Sequence, residues 1–321
     1  MKDDFMRSTC HQLVILVLAL ILVGSLSGCG DSVTTRIEPA PDNPFEAYRV
    51  GSDGTLDVVT WNLHNFAEDA GNEEIELVAK AIEGLAADVV AIQEIAQGHS
   101  FDKLLDALPN HAGYQATSDN YQNLGYVWLD STVTVERIYE WEPDISDPWR
   151  PFPRTPLIID ITWQGKTVTL INNHFKCCGD GSLDAEDPGD EEKRRLDASQ
   201  YLADYMRVDC ADDSVILLGD LNDLLIDVEI HNVFMPFYDH PDHFRFADQA
   251  VAEGPSSGWS WGPGGSHLDH ILVSDELFPA LGATGAGCQT IRIDQAMDGE
   301  YRNKISDHLP VVLVLPAASL P

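Results

Sequence analysis

Polar side chains stand where apolar stretches of the sequence end or begin. Asn62 and Glu94 each close such a stretch, and Gly219-Asp220-Leu221-Asn222-Asp223 closes a third. Asp269-His270 and Asp307-His308 instead open apolar stretches. Carboxylate and amide oxygens suit a hard divalent cation, whereas a zinc site would call for thiolates and imidazoles at short spacing. These residue types therefore predict a site for Mg²⁺ or Mn²⁺.

The elements that must position these side chains are predicted to be strands that alternate with helices. Short apolar runs are typical of buried strands, and apolar residues three and four apart are typical of amphipathic helices. The order strand, helix, strand is predicted twice, at residues 56–61, 73–85 and 88–92 and again at 167–172, 191–206 and 215–218. If the strands run in the right sense, all of the polar clusters gather at one edge.

The chain is strongly acidic. Its 321 residues include 53 Asp and Glu against 19 Lys and Arg, which gives a formal net charge of −34. Proteins that hold nucleic acid tightly neutralise its phosphates with a basic surface, so this charge argues against tight DNA or RNA binding. It is compatible with transient cleavage of a phosphodiester where bound cations reverse the local potential. A hydrophobic content of 44% excludes disorder of the whole chain.

The N-terminus predicts export. Lys2 and Arg7 precede the apolar run 13–23, which is about half the length needed to span a bilayer and is typical of a signal peptide. The run leads into Leu26-Ser27-Gly28-Cys29, which resembles the lipobox of bacterial lipoproteins. This resemblance implies that Cys29 is lipidated and anchors the chain to a bacterial membrane, at the outer membrane or cell surface where the host has one. An ordinary cleaved signal peptide with a chance cysteine is the alternative.

The predicted domain organisation follows from this leader. Residues 1–28 are expected to be the lipoprotein signal peptide, 29–53 a tether and 54–316 the folded domain. Within the tether, Pro39, Pro41 and Pro44 stand among polar residues without a sustained hydrophobic period, which is typical of an extended linker. The length of the remainder is compatible with one large core.

Six short motifs occur in order along the chain: W-N ending at Asn62, Q-E at Glu94, N-x-H at His174, G-D-L-N-D around Asp220, L-D-H around Asp269 and S-D-H-L-P around His308. This ordered set resembles the endonuclease/exonuclease/phosphatase family, which has the DNase I-like fold. The resemblance covers about residues 56–315. It implies an α+β fold, a four-layer αββα sandwich with the active site at one edge of two packed sheets.

The resemblance also implies roles for individual residues. It assigns the metal site to Asn62, Glu94 and Asp307. It assigns catalysis to His174, Asp220, Asn222, Asp269 and His308, and contacts with the substrate phosphate to Arg154 and Asn172. Two candidates for activating water remain open, namely Asp220 positioned by Asn222, and His308 oriented by Asp269. His174 is expected to be the acid or oxyanion donor, and His270 is expected to be structural.

The expected function is that of an exported, membrane-anchored, divalent-metal-dependent phosphoesterase that hydrolyses phosphodiester bonds, with a nuclease as the first expectation. A sphingomyelinase-like lipid phosphodiesterase or a phosphomonoesterase is the alternative, and the anchor and the apolar Trp259 and Trp261 favour the lipid substrate. The substrate is accordingly a nucleic acid, a phospholipid headgroup or a small phosphodiester, and no protein partner is indicated. A non-catalytic surface binding protein is a third class, but none of the site residues it would be expected to lose is missing.

The exported domain contains four cysteines, an even number in a compartment where disulfides persist. Cys177 and Cys178 follow a predicted strand that ends at the active edge. Cys210 and Cys288 precede strands that run toward that edge, so they are expected at the opposite edge. The sequence therefore predicts a Cys210–Cys288 disulfide and a strained vicinal Cys177–Cys178 bond.

Overall fold

Two six-stranded mixed sheets organise the computed structural model, which describes residues 43–67, 70–118, 122–262 and 265–321. The strands of these residues are β1 (Thr55–Phe66), β2 (Val89–Ile95), β3 (His111–Gln115), β4 (Asn123–Leu129), β5 (Val133–Glu140), β6 (Leu157–Trp163), β7 (Lys166–His174), β8 (Val215–Asp220), β9 (Phe244–Phe246), β10 (Asp269–Ser274), β11 (Gly287–Thr290) and β12 (Val311–Pro316). The helices are α1 (Asn72–Leu85), α2 (Ser100–Asp106), α3 (Glu191–Val208), α4 (Met235–Tyr238), α5 (Gln249–Ala252), α6 (Phe278–Leu281) and α7 (Tyr301–Lys304).

The strand order is β11-β12-β1-β2-β4-β3 in the first sheet and β5-β6-β7-β8-β10-β9 in the second. In each sheet one central pair is parallel, β1 with β2 and β7 with β8, and the pairs around it are antiparallel. The helices α1 and α3 connect these two parallel pairs, because parallel neighbours need a crossover rather than a hairpin. Both predicted strand, helix, strand units are therefore confirmed.

Alternation of side chains along the strands builds the layers. On β1, Val58 packs into the core between the two sheets, whereas Val59 packs under α1 on the outer face of the first sheet. On β7, Leu170 likewise faces the other sheet, and Ile171 packs under α3. Because successive side chains of a strand point to opposite faces, strands covered on both faces are apolar almost throughout. The result is the four-layer αββα sandwich of the DNase I-like fold.

The folded domain begins earlier and ends later than the sequence predicted. Pro44–Tyr48 forms a 3-10 helix capped by Asn43, and Phe45 is fully buried beneath it. The end of the predicted tether thus packs on the domain, because Phe45 supplies an apolar side chain to the core under α1. At the other end, Leu320 is buried in the core between the sheets. Cys29, the predicted signal peptide and the rest of the predicted tether lie outside the described residues.

Helices long and apolar enough to cross a membrane do not occur in the described ranges.

The predicted disulfides are wrong, because the four cysteines of the domain are free thiols. Cys210 is buried in the outer core under α3, whereas Cys288 lies on β11 of the other sheet and packs toward the core between the sheets. A whole sheet therefore separates the two layers. The Sγ atoms of Cys177 and Cys178 lie 3.0 Å apart, well beyond the bond length of about 2.05 Å. Edge position alone could not show which layer each cysteine occupies.

A buried carboxylate lies at the start of β1, far from the polar strand ends. Asp57 is fully buried; its Oδ2 accepts hydrogen bonds from Ser52 N at 3.0 Å and Thr55 Oγ1 at 2.8 Å. Its own backbone N–H donates to Asp88 Oδ2 at 3.0 Å. Burial outweighs the two hydrogen bonds and raises the pKa of Asp57 to about 6. The ionised form of this side chain therefore destabilises the fold at neutral pH.

We expect Asp57→Asn to stabilise the protein at pH 7.5 by about 1–2 kcal/mol, or a few degrees in Tm. The folded carboxyl keeps its proton up to about pH 6, whereas the unfolded one loses it near pH 4, so wild-type stability falls as pH rises between these values. Asparagine does not ionise, and its advantage should therefore vanish near pH 4. Thermal unfolding at both pH values measures the effect, with the exposed Asp106→Asn as control. A gain that is equal at both pH values would contradict the prediction.

Candidate active site

Three neighbouring strands of the second sheet place polar side chains in one row. His174, the last residue of β7, is paired with Asp220, the last residue of β8. Asp220 is in turn paired with Asp269, the first residue of the antiparallel β10. The three side chains share the face of Leu170, Leu218 and Ile271, which are buried between the sheets. They therefore form the polar end of the apolar layer between the sheets, as the strand-end pattern predicted.

A glycine allows β7 and β8 to approach closely at this edge. Gly219 has a φ of +147°, and a Cβ at this position would lie 1.9 Å from the backbone oxygen of Asn173. Only glycine fits such an approach. This explains the glycine of the G-D-L-N-D motif, because it lets Asp220 sit directly beside His174.

The first sheet contributes Glu94 through an irregularity in β2. Gln93 faces the other sheet, where its Nε2 donates to Asn172 Oδ1 at 2.8 Å, so regular alternation would turn Glu94 to the opposite face. The pairing of β2 with β4 shifts register at this point, and Glu94 has a left-handed φ of 62°. This bulge brings Glu94 Oε1 to 3.1 Å from Asn62 Nδ2. Non-glycine residues in this conformation are strained, and such residues cluster at functional sites.

Asn62 joins the two sheets at the site. Its Nδ2 donates to Asp220 Oδ2 at 2.9 Å as well as to Glu94, and its Oδ1 accepts the backbone N–H of His64 at 2.8 Å. His174 Nε2 lies 3.6 Å from Asp220 Oδ2 and 3.7 Å from Glu94 Oε1. Asn62, Glu94, His174 and Asp220 therefore surround one small polar volume.

His308 closes this volume from the side of β10. Its Nδ1 donates to Asp269 Oδ2 at 2.7 Å, and its Nε2 lies 3.8 Å from Asp220 Oδ2. The preceding Ser306 holds the segment in place, because its Oγ donates to Asn62 O at 2.6 Å and accepts the His308 N–H at 2.9 Å. The S-D-H motif thus ties His308 to the end of β1.

The buried charges shift the proton affinities of these groups. Burial disfavours the charged imidazole of His308, but the Asp269 and Asp220 carboxylates outweigh burial and raise the pKa of His308 to about 10. Burial is the main reason why the pKa of Asp220 rises to about 7, although His308 and the Asn62 amide act in the opposite direction. Burial and the Arg154 guanidinium hold the pKa of His174 well below its ordinary value. His308 is therefore a cation and His174 a neutral imidazole near pH 7.

These residues fit a bound divalent cation. Glu94, His174 and Asp220 each offer one ligand atom, and these atoms lie within 4.8 Å of one another. The raised pKa of Asp220 shows that the chain alone does not compensate the buried negative charge. A cation would compensate it, and two carboxylates with one imidazole are a suitable donor set for a hard or borderline metal. Asp220, Asp269 and His308 form a second such group, but Asp269 already bonds to His308.

Asn172 was expected to contact the substrate phosphate, but the structure places its side chain away from the exposed edge. It lies two residues before His174 and so faces the same way, but one level deeper between the sheets. Its Nδ2 donates to Ile92 O and Gly125 O, both at 3.0 Å, and the side chain is fully buried. With its donors used by the other sheet and no exposed surface, Asn172 has no access to a substrate.

Arg154 and Asn222 both lie at the chain segment that follows β7. Arg154 Nη1 and Asn222 Nδ2 each donate to Phe175 O at 3.3 Å. The backbone N–H of Asn222 also donates to Asp220 Oδ1 at 3.1 Å. Asn222 therefore positions Asp220 through its backbone, and Arg154 borders His174 as a nearby positive charge.

Asp307 was assigned to the metal site, but its carboxylate pairs with other side chains. Its Oδ1 lies 2.8 Å from His64 Nδ1, and its Oδ2 accepts a hydrogen bond from Trp261 Nε1 at 3.1 Å. Arg302 Nη2 lies 3.7 Å from the same Oδ2. Asp307 is absent from the three-residue groups that could hold an ion within the described ranges. His64, which lies on β1 two residues after Asn62, was not among the residues expected at the site, and its side chain meets Asp307 there.

A third Asp and His cluster lies on the outer face of the second sheet. Asp248 Oδ2 lies 2.6 Å from His270 Nδ1 and 3.1 Å from His267 Nε2. His267 Nδ1 accepts the Ser260 N–H, so the proton of His267 must sit on Nε2, which is then a donor and not a metal ligand. His270 Nε2 faces Asp223 O, an acceptor. The cluster is a buried hydrogen-bonded ion pair, and it gives His270 the structural place that was expected.

The fold and this edge define the class of protein. The chain belongs to the endonuclease/exonuclease/phosphatase family, whose family model matches residues 59–308. No curated protein sequence matches the chain.

Solved structures share the fold at low sequence identity. D. rerio TDP2 complexed with a single-strand DNA product is 17% identical, with a TM-score of 0.59, over 81% of this chain and 98% of that one. The human Nocturnin catalytic domain with a bound sulfate anion is 15% identical, with a TM-score of 0.57, over 81% and 93%. An endonuclease/exonuclease/phosphatase from Bacteroides vulgatus is 13% identical, with a TM-score of 0.56, over 81% and 98%. At these identities the likeness establishes the fold.

We expect Mg²⁺ or Mn²⁺ to raise the Tm of the protein, and Glu94→Gln to abolish most of this gain. A cation that binds only the folded state at about 100 times its Kd stabilises it by about 2.7 kcal/mol. Thermal unfolding with each metal, and after treatment with a chelator, measures the gain, and the exposed Glu83→Gln on α1 is the matched control. An unchanged metal-dependent shift in folded Glu94→Gln would place the cation elsewhere.

Proposed function

We propose that this protein is a divalent-metal-dependent phosphodiesterase whose cation is Mg²⁺ or Mn²⁺ and whose first substrate class is nucleic acid. One observation carries the proposal: Asp220 Oδ2 lies within 3.8 Å of Asn62 Nδ2, His174 Nε2 and His308 Nε2. A carboxylate surrounded by three nitrogens from both sheets, with Glu94 beside it, is suited to phosphoryl transfer to water.

Glu94 would hold the cation, with His174 and Asp220 within reach of it. A bound cation would neutralise charge on the phosphoryl oxygens and stabilise the leaving oxygen. Asn62 fixes the position of Glu94 relative to Asp220 through its two hydrogen bonds.

Asp220 is the proposed acceptor of the proton from water. Its Oδ1 accepts from the Asn222 backbone and its Oδ2 accepts from Asn62, so both oxygens have fixed directions. His308 is the weaker candidate, because its Nδ1 bonds to Asp269 and its imidazole stays protonated near pH 7. As a cation, His308 is suited to stabilise the negative phosphoryl group rather than to remove a proton.

The nucleic-acid substrate class is supported by the relatives and limited by charge. TDP2 of D. rerio has been solved with a single-strand DNA product, and human Nocturnin with a sulfate anion. A net charge of −34 repels a polyanion, so we propose brief contact at a cation-bearing edge rather than tight binding.

A lipid phosphodiesterase is the second candidate function. Ile226, Val228 and Ile230 follow the Asp220 loop directly, and they are 46%, 66% and 75% exposed. Exposed apolar side chains close together in one short segment favour contact with an apolar substrate or surface. A phospholipid would bring its phosphodiester to the site and its acyl chains to this segment.

We expect Asp220→Asn and His308→Ala each to lower kcat by at least about 10²-fold with the fold retained. The first change removes the proposed proton acceptor, and the second removes the positive charge beside it. Turnover of single-stranded DNA, sphingomyelin vesicles and bis(p-nitrophenyl) phosphate, with and without Mg²⁺, measures activity and chooses between the two functions. The exposed Asp239→Asn and His99→Ala are controls, and circular dichroism confirms folding. A folded variant that keeps more than about a tenth of wild-type kcat on every substrate would remove that residue from catalysis.

We also propose that the protein is exported and anchored through a lipid on Cys29. The lipobox-like sequence Leu26-Ser27-Gly28-Cys29 supports this proposal. Cys29→Ser should move the full-length protein from the detergent-rich phase to the aqueous phase on detergent partitioning, whereas Cys10→Ser should not. Retention of the Cys29→Ser protein in the detergent-rich phase would contradict lipidation.

A further inference from the structure

Trp149 is a large aromatic side chain in the loop between β5 and β6, and it is 64% exposed. The loop is folded at this point, because the backbone N–H of Phe152 donates to Pro148 O at 3.1 Å. Trp141, Trp149 and Phe152 line a cavity of about 170 Å³. Aromatic rings gathered around a cavity, with one of them largely exposed, offer a surface on which another planar ring can stack.

The indole of Trp149 is held in place by Arg194 of α3. The guanidinium carbon of Arg194 lies 4.8 Å from the centre of the Trp149 ring, within the range of a cation–π contact. Arg194 Nε donates to Arg150 O at 2.6 Å, and its Nη2 donates to Trp149 O at 3.4 Å. Arg194 is itself buried, so α3 fixes both the ring and the backbone of its loop. A flat ring covered on one face and still largely exposed presents its other face to solvent.

Three guanidinium groups meet at this loop of a strongly acidic chain. Burial is the main reason why the pKa of Arg194 is lowered; the charges of Arg150 and Arg154 add to this effect, and Glu191 and Asp147 oppose it. Asp147 lies 3.3 Å from Arg150 in an exposed ion pair, and such pairs contribute little. Within the residues that the structure describes, Arg154 has no carboxylate partner, although the chain contains 53 Asp and Glu. Cations that repel one another at one place favour an anionic ligand there.

Arg154 connects this loop to the catalytic edge. Its Nη1 donates at 3.3 Å to the backbone oxygen of Phe175, which directly follows His174. A guanidinium has five N–H donors, so this bond leaves others to face a phosphate, and the side chain is partly exposed. Because five residues separate Trp149 from Arg154, their backbones lie within about 18 Å of each other. A strand of a few nucleotides that leaves the catalytic edge past Arg154 therefore reaches Trp149.

The geometry points to Trp149 as a platform on which one base of a single-stranded nucleic acid stacks, with Arg154 and Arg150 facing the phosphates between this base and the scissile bond. Stacking on an aromatic ring accepts any base, so the platform would add affinity without sequence preference. Its arginines offer a local attraction that the net charge of −34 does not provide elsewhere. This inference rests on the proposed function and names an extended single strand as the form of substrate that the site favours.

The test compares an octathymidylate with bis(p-nitrophenyl) phosphate, which is too short to span the loop. One central linkage of the octamer is a phosphodiester, and the others are phosphorothioates, which keep the charge and resist hydrolysis. For the full-length, metal-loaded protein, Trp149→Ala should lower kcat/KM on the octamer at least about fivefold more than on the small ester. The loss should appear mainly in KM, because stacking binds substrate and transition state alike.

Matched variants separate stacking from a general effect on the fold. Trp149→Tyr keeps an aromatic ring and should retain most of the octamer activity. Arg150→Ala should show the same selectivity as Trp149→Ala with a smaller loss. The controls lie at the far end of α3, where the exposed Arg207→Ala and Val208→Ala should change neither rate. Circular dichroism confirms folding before the rates are compared.

An abasic scan of the octamer tests the base contact itself and needs no variant. Removal of one particular base should reproduce the loss in the wild-type protein, and the same removal should have no further effect in Trp149→Ala. Equal losses on both substrates, an unchanged rate on the octamer or a scan without a sensitive position would overturn the inference and leave the phosphodiesterase intact. A wild-type protein that cleaves the small ester or sphingomyelin but not DNA would overturn the nucleic-acid substrate and this inference together. Inactivity on all of them would overturn the proposed function itself.

Discussion

The hydrogen bond from Asn62 Nδ2 to Asp220 Oδ2, 2.9 Å long, joins the two sheets at the candidate active edge. Glu94, His174 and His308 are arranged around the two side chains that it connects. A second bond set, from Asn172 to Ile92 O and Gly125 O, repeats the connection one level deeper. Because a buried amide that loses its partner costs about 1–3 kcal/mol, these bonds disfavour any sliding of one sheet on the other. The apolar layer supplies the attraction between the sheets, and the two asparagines fix their alignment.

The electrostatics of the edge follow from this packing. Glu94 comes from the first sheet and Asp220 and Asp269 from the second, so closing the sandwich brings three carboxylates together. The imidazolium of His308 compensates part of this charge and is itself stabilised by it. Burial keeps the pKa of Asp220 high even so, because the charged carboxylate is removed from water where the two sheets meet.

Periodicity explains which parts of this arrangement the sequence could predict. Polar residues at strand ends and the order strand, helix, strand are local patterns. From them the sequence predicted one shared edge, and the structure brings Asn62, His174 and Asp220 together there. Depth is not a local property: Asn172 shares the face of His174 but lies one level deeper, where the other sheet uses its donors. The free cysteines show the same limit, because the layer occupied by Cys210 depends on which sheet α3 covers. Glu94 reaches the site only through a bulge, which no period reveals.

Adjacent side chains of the S-D-H motif point in opposite directions, so Asp307 and His308 contact two different regions of the site. His308 turns inward to Asp269, so its charge is buried beside Asp220. The adjacent Asp307 turns the other way and meets His64 and Trp261 near the surface. Neighbouring residues thus belong to a buried pair of imidazole and carboxylate and to an exposed one. The buried pair is fixed by both sheets, so its geometry is set by the fold. The exposed pair depends on the left-handed backbone of His64 within β1 and on the Trp261 segment, so the packing of the two sheets constrains it less.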